Sequence, residues 1–166
     1  MKARMMTFVA TMMLSAATLH AGVDVTPNPN VNATKFNSEV LRLTNEERAK
    51  YKLKPLVLHP ILSEAAEWKA HDLSTCGFFD HKDSKGRSPK DRIVEFGYYD
   101  WARVSENIAG GYVTPEEVVD AWMKSPGHRV NILDPKVCEI GLAFYFDSKS
   151  RHGYYWVQNF GRRLSQ

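Results

Sequence analysis

Three observations predict an α+β fold class for this chain of 166 residues. Apolar residues recur at helical spacing through the earlier part of the sequence. Two later runs, Ile140 to Phe146 and Tyr154 to Phe160, are rich in aromatic and β-branched residues, as strands are. The polar segment Asp147 to Gly153 lies between them and reads as the turn of an antiparallel hairpin. Helices first and paired strands last indicate α+β layering. The length suits one domain with a core that needs no metal or disulfide staple, and no internal repeat or low-complexity tract is present.

Residues 1–21 stand apart. Lys2 and Arg4 lead into an apolar run from Met5 to Leu19 with no acidic residue, the pattern of a secretory signal peptide. The run is shorter than the ~20 residues a membrane-spanning helix needs. Cleavage is expected after Ala21, with Ala17 the alternative, and no cysteine follows to take a lipid anchor. Residues 22–35, with Pro27, Pro29 and several Asn, read as a flexible leader outside the fold.

The first helix is expected from Phe36, with Asn37 as its cap. Phe36, Val40 and Leu43 share one face, while Glu46, Glu47, Arg48 and Lys50 form the wet one. It should end near Tyr51, ahead of Pro55. Leu56 to His59 is too short to assign. Pro60 opens a second helix, with Ile61, Ala65 and Trp68 in one row and Leu62, Ala66, Ala70 and Leu73 beside it. Cys76-Gly77 closes this helix, and His71 and Asp72 read as surface polar groups on it.

The loop Asp80 to Arg87 is polar throughout and introduced by Phe78 and Phe79, which are expected to anchor it. Ser88 and Pro89 then start a short helix as cap and first residue, with Ile93 and Phe96 buried and Gly97 as the stop. Tyr98, Tyr99 and Trp101 form an aromatic cluster that suits either a core or a groove wall. Thr114-Pro115-Glu116-Glu117 has the form of a capping box. It opens a helix whose apolar face includes Val118, Val119 and Trp122, and Trp122 is expected in the core. Pro126 and Gly127 break that run, leaving His128 at the break.

Charge excludes one class of partner. Removal of Lys2 and Arg4 leaves 20 basic against 19 acidic residues, so the formal charge falls from +3 to +1, and the bases are scattered along the sequence. Nothing there suggests nucleic acid. The two cysteines, Cys76 and Cys138, are too far apart in sequence for a C-x-x-C site. An even count in an exported chain permits a disulfide, and Cys76–Cys138 is the expected pair.

Three polar stretches with apolar flanks suggest one shared cleft: Phe78-Phe79-Asp80-His81, Ser105-Glu106-Asn107-Ile108-Ala109-Gly110, and Ser125-Pro126-Gly127-His128-Arg129 followed by Asn131-Ile132-Leu133. In this order they resemble the CAP superfamily of cysteine-rich secretory, antigen 5 and pathogenesis-related proteins, in its short bacterial type. The resemblance covers residues 36–162. It implies a three-layer α-β-α sandwich with a central antiparallel sheet. It also implies a cleft lined by two His and two Glu, in which the two His can hold a divalent metal ion. Matched by motif, the histidines are His81 and His128 and one glutamate is Glu106. The position of the second glutamate is Ser125 here, and Glu116 and Glu117 lie too far along their helix to replace it.

Two readings of this set stand side by side. His81, His128 and Glu106 reach the three protein ligands of a catalytic zinc site. The same residues also suit a hydrogen-bonded polar cluster without metal. Ser84, Ser105 and Ser125 lie in no nucleophile elbow, and a glycosidase needs a second carboxylate beside Glu106. The missing carboxylate favours a non-catalytic, secreted or periplasmic module that binds a cell-envelope, lipid or peptide ligand. The alternative is a metal-dependent hydrolase with Glu106 as ligand or general base.

Overall fold

The computed structural model describes residues 29–164. The expected signal peptide and the first part of the leader, residues 22–28, lie outside the described residues. The end of the leader does not match the expectation. Pro29–Asn32 forms a 3-10 turn, and the first helix, α1 (Ala33–Lys50), starts three residues before Phe36. Its N-cap position is Asn32, not Asn37. Asn30 is docked on the domain: its side chain donates to the Phe146 carbonyl and accepts from the Phe146 N–H, both at 2.8 Å. That pairing satisfies the polar groups of an edge residue and makes this part of the leader integral to the fold.

The remaining elements are β1 (Val57–Leu58), α2 (Pro60–Thr75), α3 (Pro89–Glu95), β2 (Trp101–Gly110), α4 (Pro115–Lys124), α5 (Pro126–Ile132), β3 (Glu139–Phe146) and β4 (Tyr154–Arg163). The four strands form one sheet in the order β1-β3-β4-β2. The β2–β4 and β3–β4 pairs are antiparallel, and only the two-residue β1 runs parallel to its neighbour.

Alternation along β3 builds the layers. Ile140, Leu142 and Phe144 face one side, where they pack with Val40 of α1, Val118 and Trp122 of α4, and Ile132 of α5. Ala143 faces the other side with Ala66, Ala70 and Leu73 of α2, and Leu62 and Ala65 meet Ile93 and Tyr98 nearby. The expected α-β-α sandwich is therefore present. Gly141 allows α2 to lie against the sheet, because a Cβ there would stand 2.0 Å from the Leu62 carbonyl carbon.

The caps read at Ser88 and Thr114 are present. Ser88 with Asp91 and Thr114 with Glu117 both form reciprocal capping boxes. Trp122 is 1% exposed, as expected of the core. Several polar residues were misjudged. Arg48 is buried, not on the wet face of α1, and donates to the carbonyls of Lys54, Ile132 and Asp134. Asp72 is likewise buried, and only His71 of that pair is exposed. Of the aromatic cluster, Tyr98 is core and donates to Glu139 at 2.5 Å, while Tyr99 is exposed.

Cys76 and Cys138 form no disulfide. Cys138 lies beside β1, its carbonyl accepting from Val57 N–H. Cys76 lies past the far end of α2, a helix of 16 residues that spans about 24 Å. A disulfide requires Cα atoms within roughly 7 Å. Cys76 instead donates its thiol to Asp72 Oδ1 at 3.2 Å.

Candidate functional site

The three polar stretches converge along β2. Glu106 sits near the middle of this strand, opposite Asn159 of β4, with its side chain 1% exposed. One carboxylate oxygen, Oε1, lies 2.8 Å from His81 Nδ1. The other, Oε2, accepts from Arg92 of α3, which is fully buried and also faces Asp83 Oδ2 at 3.7 Å. Both oxygens are thus engaged. In the neutral ring, Nδ1–H donating to Glu106 leaves the lone pair on His81 Nε2. Half of the His81 side chain is open to solvent.

The loop that carries His81 is held by buried charge, not by the two preceding aromatics, which are both about 40% exposed. Asp83 is buried and accepts from the N–H groups of Lys85 and Arg87 and from Arg87 Nε. Lys69, fully buried in α2, donates to the Lys82 carbonyl at 3.0 Å and lies 3.5 Å from Asp72. Burial pulls the Lys69 ammonium below its ordinary range, partly offset by the charge of Glu106. For Asp72, burial opposes ionisation. Hydrogen bonds from Ser84 and Cys76, with the charge of Lys69, outweigh that and hold the carboxyl below its usual value.

His128 arrives from a helix that the sequence reading did not assign. Pro126 and Gly127 do not simply end the preceding helix. Pro126 starts α5 with Ser125 as its N-cap, the position where a proline costs no hydrogen bond. A ladder of amides fixes the backbone there. Asn107 Nδ2 donates to the His128 carbonyl at 3.2 Å and to Gln158 Oε1 at 3.0 Å. Asn131 Nδ2 donates to Asn107 Oδ1 at 2.9 Å and to the Glu106 carbonyl at 3.3 Å. Gln158 in turn donates to Thr44 of α1. Burial lowers the pKa of the His128 imidazole, and the charge of nearby His81 lowers it further.

The Glu106 carboxylate is therefore committed to Arg92 and His81, with His128 on the neighbouring helix α5. Among the described residues, no group of three or more His, Cys, Asp or Glu side chains is arranged to hold a metal ion. The three-ligand set of His81, His128 and Glu106 is not formed, because Glu106 is turned toward Arg92 and the His81 ring. Ser125 stands at the N-cap position of α5 without a side-chain capping bond, and supplies no carboxylate. Arg92 and Lys69 escaped sequence reading, Asp72 was read as a surface group, and Asp83 only as part of a polar loop. The signal available for Asp83 was the Asp-x-x-Gly turn that ends in Gly86, at φ 75.

The family model of the cysteine-rich secretory protein family, CAP, matches residues 41–160. The chain is 42% identical over 129 residues to the uncharacterized protein YkwD of Bacillus subtilis, covering 78% of this chain and 48% of that one. It is 33% identical over 130 residues to the uncharacterized membrane protein YlbC of the same organism, covering 78% of this chain and 35% of that one. The chain thus spans about half or less of these curated relatives. Among solved structures, an extracellular SCP-domain protein from Bacillus anthracis superposes with a TM-score of 0.71 at 22% identity, over 79% of this chain and 41% of its own. An outer surface protein from Borrelia burgdorferi gives a TM-score of 0.69 at 24% identity, over 78% of this chain and 93% of its own. At these identities the structural likeness establishes the fold. With the family model spanning most of the sandwich, the chain belongs to the cysteine-rich secretory protein (CAP) family.

Proposed function

We propose that this chain is an exported CAP domain acting as a binding module, whose cleft around His81 and His128 takes a cell-envelope, lipid or peptide ligand. The observation that carries this reading is the state of Glu106. It is buried, and its two oxygens are spent on Arg92 and His81. A general base needs a carboxylate oxygen within reach of a water or substrate proton, and the Glu106 side chain is 1% exposed, with one oxygen on Arg92 and the other on His81. It is a positioning residue that fixes the His81 ring.

A divalent ion, zinc by donor chemistry, would be held here by the His81 and His128 imidazoles. Two imidazoles fall short of the three protein ligands of catalytic zinc sites. An ion held there would supply a positive point for an anionic group of a ligand. Export to the periplasm or beyond is supported by the charged start and apolar run of residues 1–21. It is also supported by two structural relatives, one an extracellular protein and the other an outer surface protein. Among the described residues, no helix is long and apolar enough to cross a membrane.

The test is incubation of the purified protein with mixed peptide, lipid and peptidoglycan fractions, with and without chelator. Retention of a component without turnover is expected. Chelator-sensitive appearance of cleavage products, lost in Glu106→Gln, would establish the hydrolase instead.

A further inference from the structure

Lys69 stands where the packing of α2 calls for an apolar residue. Ala65, Ala66, Ala70 and Leu73 share the buried face of the helix with it, and the lysine itself is fully buried. Lysines are almost never buried to that extent unless paired. Its carboxylate partner, Asp72, lies one turn along the same helix at 3.5 Å, longer than an ordinary N–H···O bond. Apolar side chains of similar volume commonly replace buried ion pairs without loss of stability. The packing of α2 therefore does not account for a lysine here.

The contacts of its ammonium lead to the loop that carries His81. The shortest, at 3.0 Å, goes to the carbonyl of Lys82, the residue after His81. The centroid of the Phe78 ring lies 5.9 Å away, three residues before His81. Asp72 in turn accepts from the Ser84 N–H at 3.2 Å. Two backbone bonds within the loop, Asp83 N–H to the Arg87 carbonyl and Gly86 N–H to the Asp83 carbonyl, both lie beyond His81. Nearer the ring, the Lys82 N–H bonds the exposed Asp80 side chain, and Arg92 reaches the His81 carbonyl at 3.4 Å. The Lys69 bond is shorter than that of Arg92 and comes, like it, from a fully buried donor.

We propose that Lys69 is a positioning residue for His81: from the core of α2, its ammonium fixes the backbone beside His81 and so keeps the ring on Glu106. The proposal rests on the reading of His81 as a working ring of the cleft. Glu106 orients the ring itself, through the 2.8 Å contact at Nδ1. Lys69 holds the chain that carries the ring. Methionine at this position would occupy a similar volume but leave the Lys82 carbonyl without its donor, and the backbone beside His81 would lose its tie to α2.

The experiment compares the full chain with its Lys69→Met variant, both folded and well below melting. Heteronuclear NMR reads the His81 ring at about pH 8, where an ordinary imidazole is neutral, and calorimetry reads zinc affinity at the same pH. In the parent, the ring should be a single Nδ1–H tautomer, because the bond to Glu106 fixes the proton. In Lys69→Met both tautomers should appear, and zinc affinity should fall roughly tenfold, the low end of what removal of a ring-orienting group costs. Lys69→Gln, which keeps a donor without the charge, should show smaller losses of the same sign, and it decides the matter if Lys69→Met does not fold. Val40→Ala truncates the core on the opposite face of the sheet. It should lower the melting temperature and leave both the ring and the zinc affinity unchanged; an equal loss there would reduce the effect to general destabilisation and overturn the proposal. A folded Lys69→Met with a single His81 tautomer and parental zinc affinity overturns it as well. If the parent binds no zinc, the ion-binding reading of the cleft fails, and the His81 tautomer alone decides the role of Lys69.

Discussion

Glu106→Ala should destabilise the domain by about 3 kcal/mol, because it leaves the buried Arg92 guanidinium without its main partner. Loss of one member of a buried pair typically costs ~3–5 kcal/mol. The lower end applies here, since Asp83 remains 3.7 Å from Arg92 and the His81 ring beside the carboxylate is half open to water. For a domain of this size, that loss lowers the melting temperature by about 6–12 °C. Urea melts followed by circular dichroism measure it. The cycle with Arg92→Met separates pairing from packing: the double variant should recover much of the loss, because no unpaired buried charge remains. A loss below ~1 kcal/mol for Glu106→Ala, or strict additivity in the cycle, would refute the idea that Glu106 is committed to Arg92.

Three further outcomes follow from the same structure. Trp122→Ala should cost about 3–5 kcal/mol, since the indole is 1% exposed against the sheet; a urea melt showing under ~1 kcal/mol would contradict its core position. His128 should titrate below the ordinary value of about 6.5, because burial and then the charge of His81 disfavour its cation. The unfolded chain therefore binds more protons in that window, and the His128 contribution to stability is present above pH ~6.5 and fades as pH falls through the folded pKa. NMR titration of the ring reads the shift directly, and a pKa above the ordinary value would reverse the sign. Intact-mass analysis without reductant should find both thiols of Cys76 and Cys138 retained; a mass lower by two hydrogens would show them bridged.

Much of the fold was legible because it rests on local chemistry. The capping boxes at Ser88 and Thr114, the apolar rows of α2, and the aromatic runs of β3 and β4 each carry their own signal. β2 was not assigned, because Glu106 and Asn107 interrupt its apolar pattern at the point where the strand serves the site. Proline misled at α5, since its use as a helix-starting residue looks the same in sequence as a break. His81, Glu106 and His128 were found together through motif order, and the structure brings Glu106 to His81. What sequence missed was the partner of Glu106. Arg92 lies 14 residues away on another element, and its burial depends on a pairing that only the folded sheet creates. The buried Arg48 and Asp72 were misread for the same reason, as charged residues are rarely buried unless paired.

The most direct test of the cleft as a two-imidazole binding site is calorimetric titration with zinc at about pH 7.5 and about pH 5.5, either side of the ordinary His pKa near 6.5. Binding requires both rings neutral. Affinity should therefore fall at the lower pH, vanish in His81→Ala and in His128→Ala, and persist in weakened form in Glu106→Gln, whose carboxylate orients a ring and does not ligate. Unchanged affinity in the His81→Ala/His128→Ala double variant would contradict the account.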